Sequence, residues 1–481
     1  MRVSFDVEID AMHANRTAIS AIVICVTAVS VCLAQGSWRF AVMGDSRAGS
    51  VIGVNEKVLS ELVNECLQRD IDFVLFPGDL VNGSGADLAL FEGQLWNWIR
   101  VMQPLYDAGI GVYACRGNHE IADMWYPLPG ELPDPADNCA RRWLNVFGDD
   151  KDPLYELPDN GPDGEKHMSY SVVHKNALVV SLDEYGGMNY RPLHYVNQEW
   201  LSSQLESNVK PHVFAFGHEP AFRTLHYDCL DAHPDRRDAL WLSLKAAGGR
   251  TYFCCHDHYY DHARVDDGDG NPDNDIHQLI AATAGAPFYT WTPPYDGNNG
   301  DFTVEQVYHA ERYGYLLVNV DDLEVTMAWM ERRDVNPLAP PFYETRDFWR
   351  YKVSPNVVVL RPRAGEQVPA GRPYTVRWKT IDGAQAKRLL IQYSLDAGAQ
   401  WSNVGETDNA GTYVWSTPMV DSDSCLVRIT GVGNPKIDDA TDGTFSIARC
   451  PVKPAADLNG DCKVDFADLA ILAGEWLAGT Q

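Results

Sequence analysis

The stretch TYFCCHDHYYDH, Thr251 to His262, sets His256, His258 and His262 within seven positions at the end of an apolar run. Such imidazoles suit either a metal site or a surface loop that is merely rich in histidine. The same placement recurs along the chain. Asp45 follows the run 39–43 (RFAVM), and Asp79 follows 72–76 (DFVLF) through Pro77 and Gly78. Asn118 and His119 follow 111–115 (GVYAC), and His218 follows 212–216 (HVFAF) through Gly217. A lone Asp after a strand is ordinarily a turn or a helix cap. Five such positions together are better explained as ligands, because carboxylate and amide oxygens with imidazole nitrogens suit manganese, iron or zinc.

The elements that must position these groups are legible. The apolar runs, with 177–182 (ALVVSL) and 251–255 (TYFCC), read as strands, and helical periodicity appears at 54–68, 88–106 and 197–206. Alternating strands and helices predict an α/β domain with its strands covered on both faces, and open α/β sheets bind ligands at strand C-terminal ends.

The ordered set GDSR (44–47), GDLV (78–81), GNHE (117–120), GHE (217–219) and CHDH (255–258) resembles the calcineurin-like metallophosphoesterases, which include the purple acid phosphatases. The resemblance covers 36–333 and implies an α/β/β/α sandwich that hydrolyses phosphate esters at two transition-metal ions (Mn, Fe or Zn). It implies that Asp79 bridges ions about 3.5–4 Å apart, with a hydroxide between them as nucleophile. One ion would be held also by Asn118, His218 and His256, the other also by Asp45 and His258. His119 would stabilise or protonate the leaving oxygen, oriented by Glu120 or Asp45.

The chain departs from the family pattern at three positions. Arg47 stands where the family has a ligating histidine, and a guanidinium stays protonated and cannot ligate. It would grip a substrate phosphate or substitute in part for the ion's charge. Asn82 stands where purple acid phosphatases have an iron-binding tyrosine. Cys255 replaces a glycine and reads as a small buried residue, a disulfide partner or a thiolate ligand. His262 lies outside the motif and reads as a surface residue. Trp125, Tyr126, Tyr259 and Tyr260 would stack on a substrate base or sugar, or belong to the core.

The chain changes character after 334–354, a Pro-bearing span read as a linker. Short strands separated by turns over 355–447 predict an immunoglobulin- or fibronectin-like β-sandwich. A second linker, 448–456, leads to an EF-hand-like segment at 457–477. There Asp457, Asn459, Asp461, Asp465 and Asp468 take loop positions 1, 3, 5, 9 and 12, with the Lys463 carbonyl at position 7. This resembles one repeat of a type I dockerin, which implies calcium and a cohesin-like or cell-surface partner. A second acidic run, DGDGNPDND (267–275), has Gln278 at position 12 counted from Asp267 and reads as a solvated loop.

Composition sets the remaining bounds. The 481 residues carry a net charge of -28, which argues against nucleic acid as a partner and repels polyanions unless cations reverse the local field. The apolar stretch Ala18–Leu33 after Arg16 predicts a signal peptide over 1–34, hence a secreted, cell-surface or periplasmic location; an uncleaved anchor is the alternative. Of eleven cysteines, Cys25 and Cys32 lie in that stretch, leaving nine, for which an oxidising compartment makes some disulfides plausible. Two classes of function stay open. One is a secreted hydrolase of phosphate mono- or diesters; the other is an extracellular adhesion or scaffold protein with a degenerate phosphoesterase domain. Action on non-phosphate esters is a third, weaker reading.

Overall fold

Each apolar run that precedes a candidate ligand folds as a short strand whose alternate side chains meet two different layers. On His212–Phe216, Phe214 and Phe216 join a core with Phe40 and Phe73, whereas Val213 and Ala215 join a second core with Leu240, Trp241 and Leu244. That two-residue alternation makes the run continuously apolar. Each aliphatic or aromatic side chain so buried contributes about 1.5–3 kcal/mol.

The computed structural model describes residues 37–125, 132–148, 152–208, 210–321, 323–334, 336, 338–353, 357–380, 388–449, 454–459 and 463–478. The span 1–34, expected as a signal peptide, lies outside them. Among the described residues, no helix is long and apolar enough to cross a membrane.

The first part of the chain runs β1 (Trp38–Val42), α1 (Glu56–Leu67), β2 (Phe73–Pro77), α2 (Leu88–Asp107), β3 (Gly111–Cys115), α3 (Cys139–Phe147), β4 (Tyr170–His174), β5 (Ala177–Ser181) and α4 (Gln198–Ser207). It continues with β6 (His212–Phe216), α5 (Pro234–Ala246), β7 (Thr251–Cys254), β8 (Tyr260–Asp266), β9 (Ile276–Ala281), β10 (Thr303–Ala310), β11 (Gly314–Asp321), β12 (Glu324–Arg332) and β13 (Tyr343–Lys352). Every strand and helix expected in this part forms within two residues of its expected bounds.

Two mixed sheets result, ordered β13-β12-β11-β1-β2-β3 and β10-β8-β9-β7-β6-β5-β4. They face each other through aromatic contacts such as Phe40 on Phe214, ring centroids 5.1 Å apart. On the outer face of the first sheet, Trp98 of α2 stands edge-on to Phe76, and α4 and α5 cover the second sheet. Side chains of Asn55, Asp87, Asn138 and Asn197 cap α1 to α4 at their N-termini, each contributing about 1 kcal/mol. The parallel strands β1, β2, β3, β6 and β7 therefore end together, and the candidate ligands leave from those ends.

The span 334–354, expected as a linker, is not one. It contains β13, which pairs with β12 along its length and turns Asp347, Trp349 and Tyr351 inward onto His262, His277 and His212 of the second sheet. The pattern D-x-W-x-Y is itself a period-two signal, obscured by the charged residues between.

Residues 357–448 form β14 (Val357–Arg361), β15 (Gln367–Pro369), β16 (Pro373–Thr380), β17 (Arg388–Ser394), β18 (Ser402–Asp408), β19 (Thr412–Ser416), β20 (Ser422–Gly431), β21 (Asn434–Ala440) and β22 (Phe445–Ala448). They lie in two sheets around one apolar core that includes Val376, Trp378, Ile391 and Val427. Arg361 pairs with Glu206, and the Lys379 ammonium donates to the Ala247 carbonyl at the end of α5. Helix α6 (Phe466–Ala478) follows.

Candidate metal centre

The turns that carry the candidate ligands are tight enough to force unusual backbone. Asp45, Asp79 and His256 have φ of 56°, 49° and 73°, a left-handed conformation that non-glycine residues rarely adopt. Three such residues, each just beyond a strand, mark a surrounding structure that over-determines them, as at functional sites. The hydrogen bonds are explicit. Asp45 N–H donates to Gly78 O (3.2 Å), Ser46 N–H to Asp79 O (3.1 Å), and His256 N–H to Asp45 Oδ2 (2.9 Å). Gly78 (φ 79°) has no room for a Cβ, which would lie 2.5 Å from His218 Nδ1.

Asp79, Asn118, His218 and His256 converge on one side. His218 Nδ1 lies 2.9 Å from the Pro77 carbonyl and so carries the ring proton, leaving Nε2 as a lone pair. That lone pair faces acceptors only, Asn118 Oδ1 at 3.1 Å and Asp79 Oδ1 at 3.4 Å. His256 Nδ1 also lies 3.1 Å from Asn118 Oδ1. Asn118 Oδ1, Asp79 Oδ1 and the two imidazole nitrogens could share one cation. Ligands about 2.1 Å from one ion stand roughly 3.0–3.4 Å apart, so the spacings fit a transition metal. These four residues would hold it, and its chemistry would be to polarise a phosphoryl oxygen.

On the other side, Asp45, Asp79 and His258 bring ligand atoms within 4.8 Å of one another, a group that could hold a metal. His258 Nδ1 faces the Pro287 carbonyl at 2.7 Å, which again leaves Nε2 as the lone pair. Here, however, a donor is present. Arg47 Nη2 lies 3.2 Å from His258 Nε2 and its Nε 3.3 Å from Asp79 Oδ2, so the guanidinium sits on two of the three members. Asp45 Oδ1, 3.2 Å from His258 Nε2, is buried and accepts no hydrogen bond.

The expected partner of His119 is corrected. Its Nδ1 faces the Asn82 carbonyl at 2.6 Å, and neither Glu120 nor Asp45 hydrogen-bonds to its ring. Its Nε2 is turned to the centre, 3.9 Å from Asp79 Oδ2. Burial lowers the His119 pKa against the pull of Asp79, with Arg47 adding to the fall. Glu120 instead accepts the backbone N–H groups of Gly117 (2.7 Å), Asp79 (3.0 Å) and Val81 (3.2 Å). Burial pushes its carboxyl up to about 8 and the Asp79 charge adds to that, against those three donors. Burial would raise Asp79 too, but His119, His218 and Arg47 outweigh it and hold that carboxyl well below the usual range.

Further residues complete the site. Tyr289 accepts from Arg47 Nη2 (3.2 Å) and stacks on His258 with ring centroids 4.2 Å apart. Asp257, between the two histidines, is buried and holds His226 and Thr224. Glu184 accepts from His218 N–H and Glu219 N–H, both at 2.8 Å. Only the fold brings these together with the motif residues.

Other expectations fare differently. Cys255 is buried, with its sulfur packed where a Cβ on Gly44 would lie, which fits the reading as a small buried residue. The cysteines at 66, 115, 139, 229, 254, 255 and 425 are free, so no disulfide forms among the described residues. His262, expected at the surface, is buried between Asp347 and His277. Tyr259 and Tyr260 are core residues, Tyr260 stacked on Trp329 at 4.1 Å. Tyr126 and the Trp125 side chain lie outside the described residues.

In the acidic run, Lys245 pairs with Asp267 and Asp269, while Asp266, Asp267 and Asp275 gather within 4.8 Å. In the C-terminal segment, Asp457 and Asp468 are buried. Asp468 accepts backbone N–H groups of Leu458 (2.7 Å), Asn459 (3.2 Å) and Asp465 (2.9 Å). Lys463 and Asp465 are exposed, and Asp461 lies outside the described residues.

No curated protein matches the chain. The family model described as calcineurin-like phosphoesterase matches residues 39–260, a span that contains every one of the ligand candidates on β1, β2, β3, β6 and β7, and this family uses divalent metals. Residues 39–260 are therefore a calcineurin-like phosphoesterase domain.

Proposed function

We propose that this protein is a secreted, metal-dependent hydrolase of phosphate mono- or diesters. One observation carries the reading. Asp79 divides its carboxylate between two sides, Oδ1 toward His218 Nε2 at 3.4 Å, where an ion would sit, and Oδ2 toward Arg47 Nε at 3.3 Å. A phosphoryl group above Asp79 would meet an ion on one side and a guanidinium on the other, which reverses locally the field of a chain with net charge -28. His119, its Nδ1 fixed by the Asn82 carbonyl, would present Nε2 to the leaving oxygen. The bridging-hydroxide mechanism that the resemblance implies needs a second ion at Asp45, Asp79 and His258; hydrolysis itself needs only the first.

Secretion is supported by the apolar stretch Ala18–Leu33 after Arg16. For residues 355–447 we propose an immunoglobulin- or fibronectin-like module, supported by two sheets around one core. For 457–477 we propose a calcium-dependent tether to a cohesin-like or cell-surface partner. The loop spacing supports it, as does the exposure of Phe466 (86%) and Trp476 (74%) on α6.

The test is hydrolysis of chromogenic phosphate mono- and diesters by the manganese-loaded chain and by Asp79→Asn. Activity in the wild type that falls at least ~10³-fold in the variant supports the reading, since a lost group that acts through electrostatics costs about that much. No activity of the loaded wild type on either ester would turn the reading toward a binding or scaffold role.

A further inference from the structure

The two sides of Asp79 differ in one respect that decides how many ions the centre holds. On the Asn118 side, His218 Nε2 and His256 Nδ1 both converge on Asn118 Oδ1 at 3.1 Å, Asp79 Oδ1 accepts only the His119 backbone N–H at 3.0 Å, and no guanidinium or ammonium among the described residues meets either imidazole. On the Asp45 side, the lone pair of His258 Nε2 already receives a proton donor, Arg47 Nη2 at 3.2 Å. The same guanidinium sets Nε 3.3 Å from Asp79 Oδ2. A lone pair that accepts a hydrogen bond cannot at once coordinate an ion.

We propose that the Arg47 guanidinium stands in for the second metal ion, so that the centre binds a single transition-metal ion at Asp79, Asn118, His218 and His256. The proposal deepens the phosphoesterase reading and rests on it only for the identity of the substrate; the ion count is independent of any activity.

The position of Arg47 is built rather than incidental. Its backbone forms an isolated antiparallel bridge with Val54, and the preceding Ser46 donates its hydroxyl to Leu80 O at 2.7 Å. Tyr289 accepts from Nη2 at 3.2 Å and stacks on His258, so one aromatic ring aligns the guanidinium with the imidazole. The charge is permanent, because a guanidinium keeps its proton at any working pH. With 17% of its side chain exposed, Arg47 also remains reachable by a phosphoryl oxygen, which its planar N–H fork suits. Asp45 has a different task here: its Oδ2 accepts the His256 N–H at 2.9 Å and holds the left-handed turn that aims His256. Its Oδ1 is the buried acceptor that a second ion would have to reach.

The experiment counts manganese bound to the full chain by calorimetry and elemental analysis, with the electron paramagnetic resonance spectrum as a second readout. The wild type is expected to bind one ion per chain and to give the spectrum of an isolated ion. Arg47→His should add a second ion and produce an exchange-coupled pair. His258→Ala should leave the count at one, and His218→Asn should abolish binding. Two ions per wild-type chain with a coupled spectrum would overturn the proposal and leave the phosphoesterase reading intact. A wild type that binds no manganese would overturn both. Should Arg47→His fail to fold, the wild-type count and His258→Ala still decide: loss of the bound ion in His258→Ala would place the ion on the Asp45 side and overturn the assignment.

Discussion

The buried Glu120 carboxylate accepts the backbone N–H of Asp79 at 3.0 Å, and with the N–H groups of Gly117 and Val81 it holds the turns of the candidate ligands Asp79 and Asn118 in one clamp. Asp79 has φ of 49°, so its turn depends on such external restraint. Replacing Glu120 by Ala would leave three buried donors without an acceptor. Each such group costs about 1–3 kcal/mol, so a loss of roughly 3 kcal/mol or more is expected. Urea unfolding of the metal-free variant measures it. A change under about 1 kcal/mol would mean that water replaces the carboxylate, and the clamp would be dispensable.

Gly83 tests how His119 is placed. It has φ of 73°, and a Cβ there would collide with the His119 carbonyl oxygen. Asn82, the preceding residue, supplies the carbonyl that fixes the imidazole. Gly83→Ala should therefore displace His119 while Asn118, His218 and His256 stay in place. The expected result is unchanged manganese affinity with kcat reduced on the order of 10²-fold, the scale of a misplaced proton-transfer group. Equal losses of affinity and rate would instead report a general collapse of the site.

A role for His119 at the leaving oxygen predicts dependence on the leaving group. His119→Gln should slow hydrolysis of an alkyl phosphate by about 10²–10⁴-fold, because a poor leaving group needs the proton. The nitrophenyl ester, whose phenolate departs unaided, should lose far less. Parallel rate measurements on the two esters decide the matter. If both fall by the same factor, His119 acts on the phosphoryl group and not on the departing oxygen.

The strand-end positions of the candidate ligands were legible in the sequence because local and tertiary demands coincide there. An apolar run must be a buried strand, and the polar residue after it must then lie at the sheet's edge. The identity of β13 was hidden, since Arg346, Arg350 and Lys352 face outward and mask the inward Asp347, Trp349 and Tyr351. His262 was misread for the same reason: its partners Asp347 and His277 are remote in sequence, so nothing local announced a buried imidazole. The role given to Glu120 failed because proximity in GNHE suggested a side-chain pair, whereas the chain turns the carboxylate to backbone donors. Arg47 was legible as a departure from the family pattern, but only the folded site shows that its guanidinium reaches both His258 and Asp79.

The buried histidines beneath β13 should make the domain acid-sensitive in a way that one substitution reports. His277 Nδ1 lies 2.7 Å from His262 Nε2, and His262 Nδ1 lies 2.7 Å from Asp347 Oδ2. The His277 ring also stacks on Trp349, centroids 3.8 Å apart. Burial, then His262 and Arg264, hold the His277 pKa down to about 2. An unfolded chain takes up the proton near pH 6.5, whereas the fold refuses it until far lower. The unfolded state therefore binds more protons throughout that window, and stability, full above about pH 6.5, falls as pH drops by up to about 1.4 kcal/mol per unit. His277→Gln keeps a donor for His262 Nε2 but cannot titrate. Its urea-unfolding free energy, followed by tryptophan fluorescence, should fall less steeply than the wild type's from about pH 6.5 to 4. Identical slopes would show that the imidazole is protonated in the fold and that Asp347 carries both histidines as one charged group.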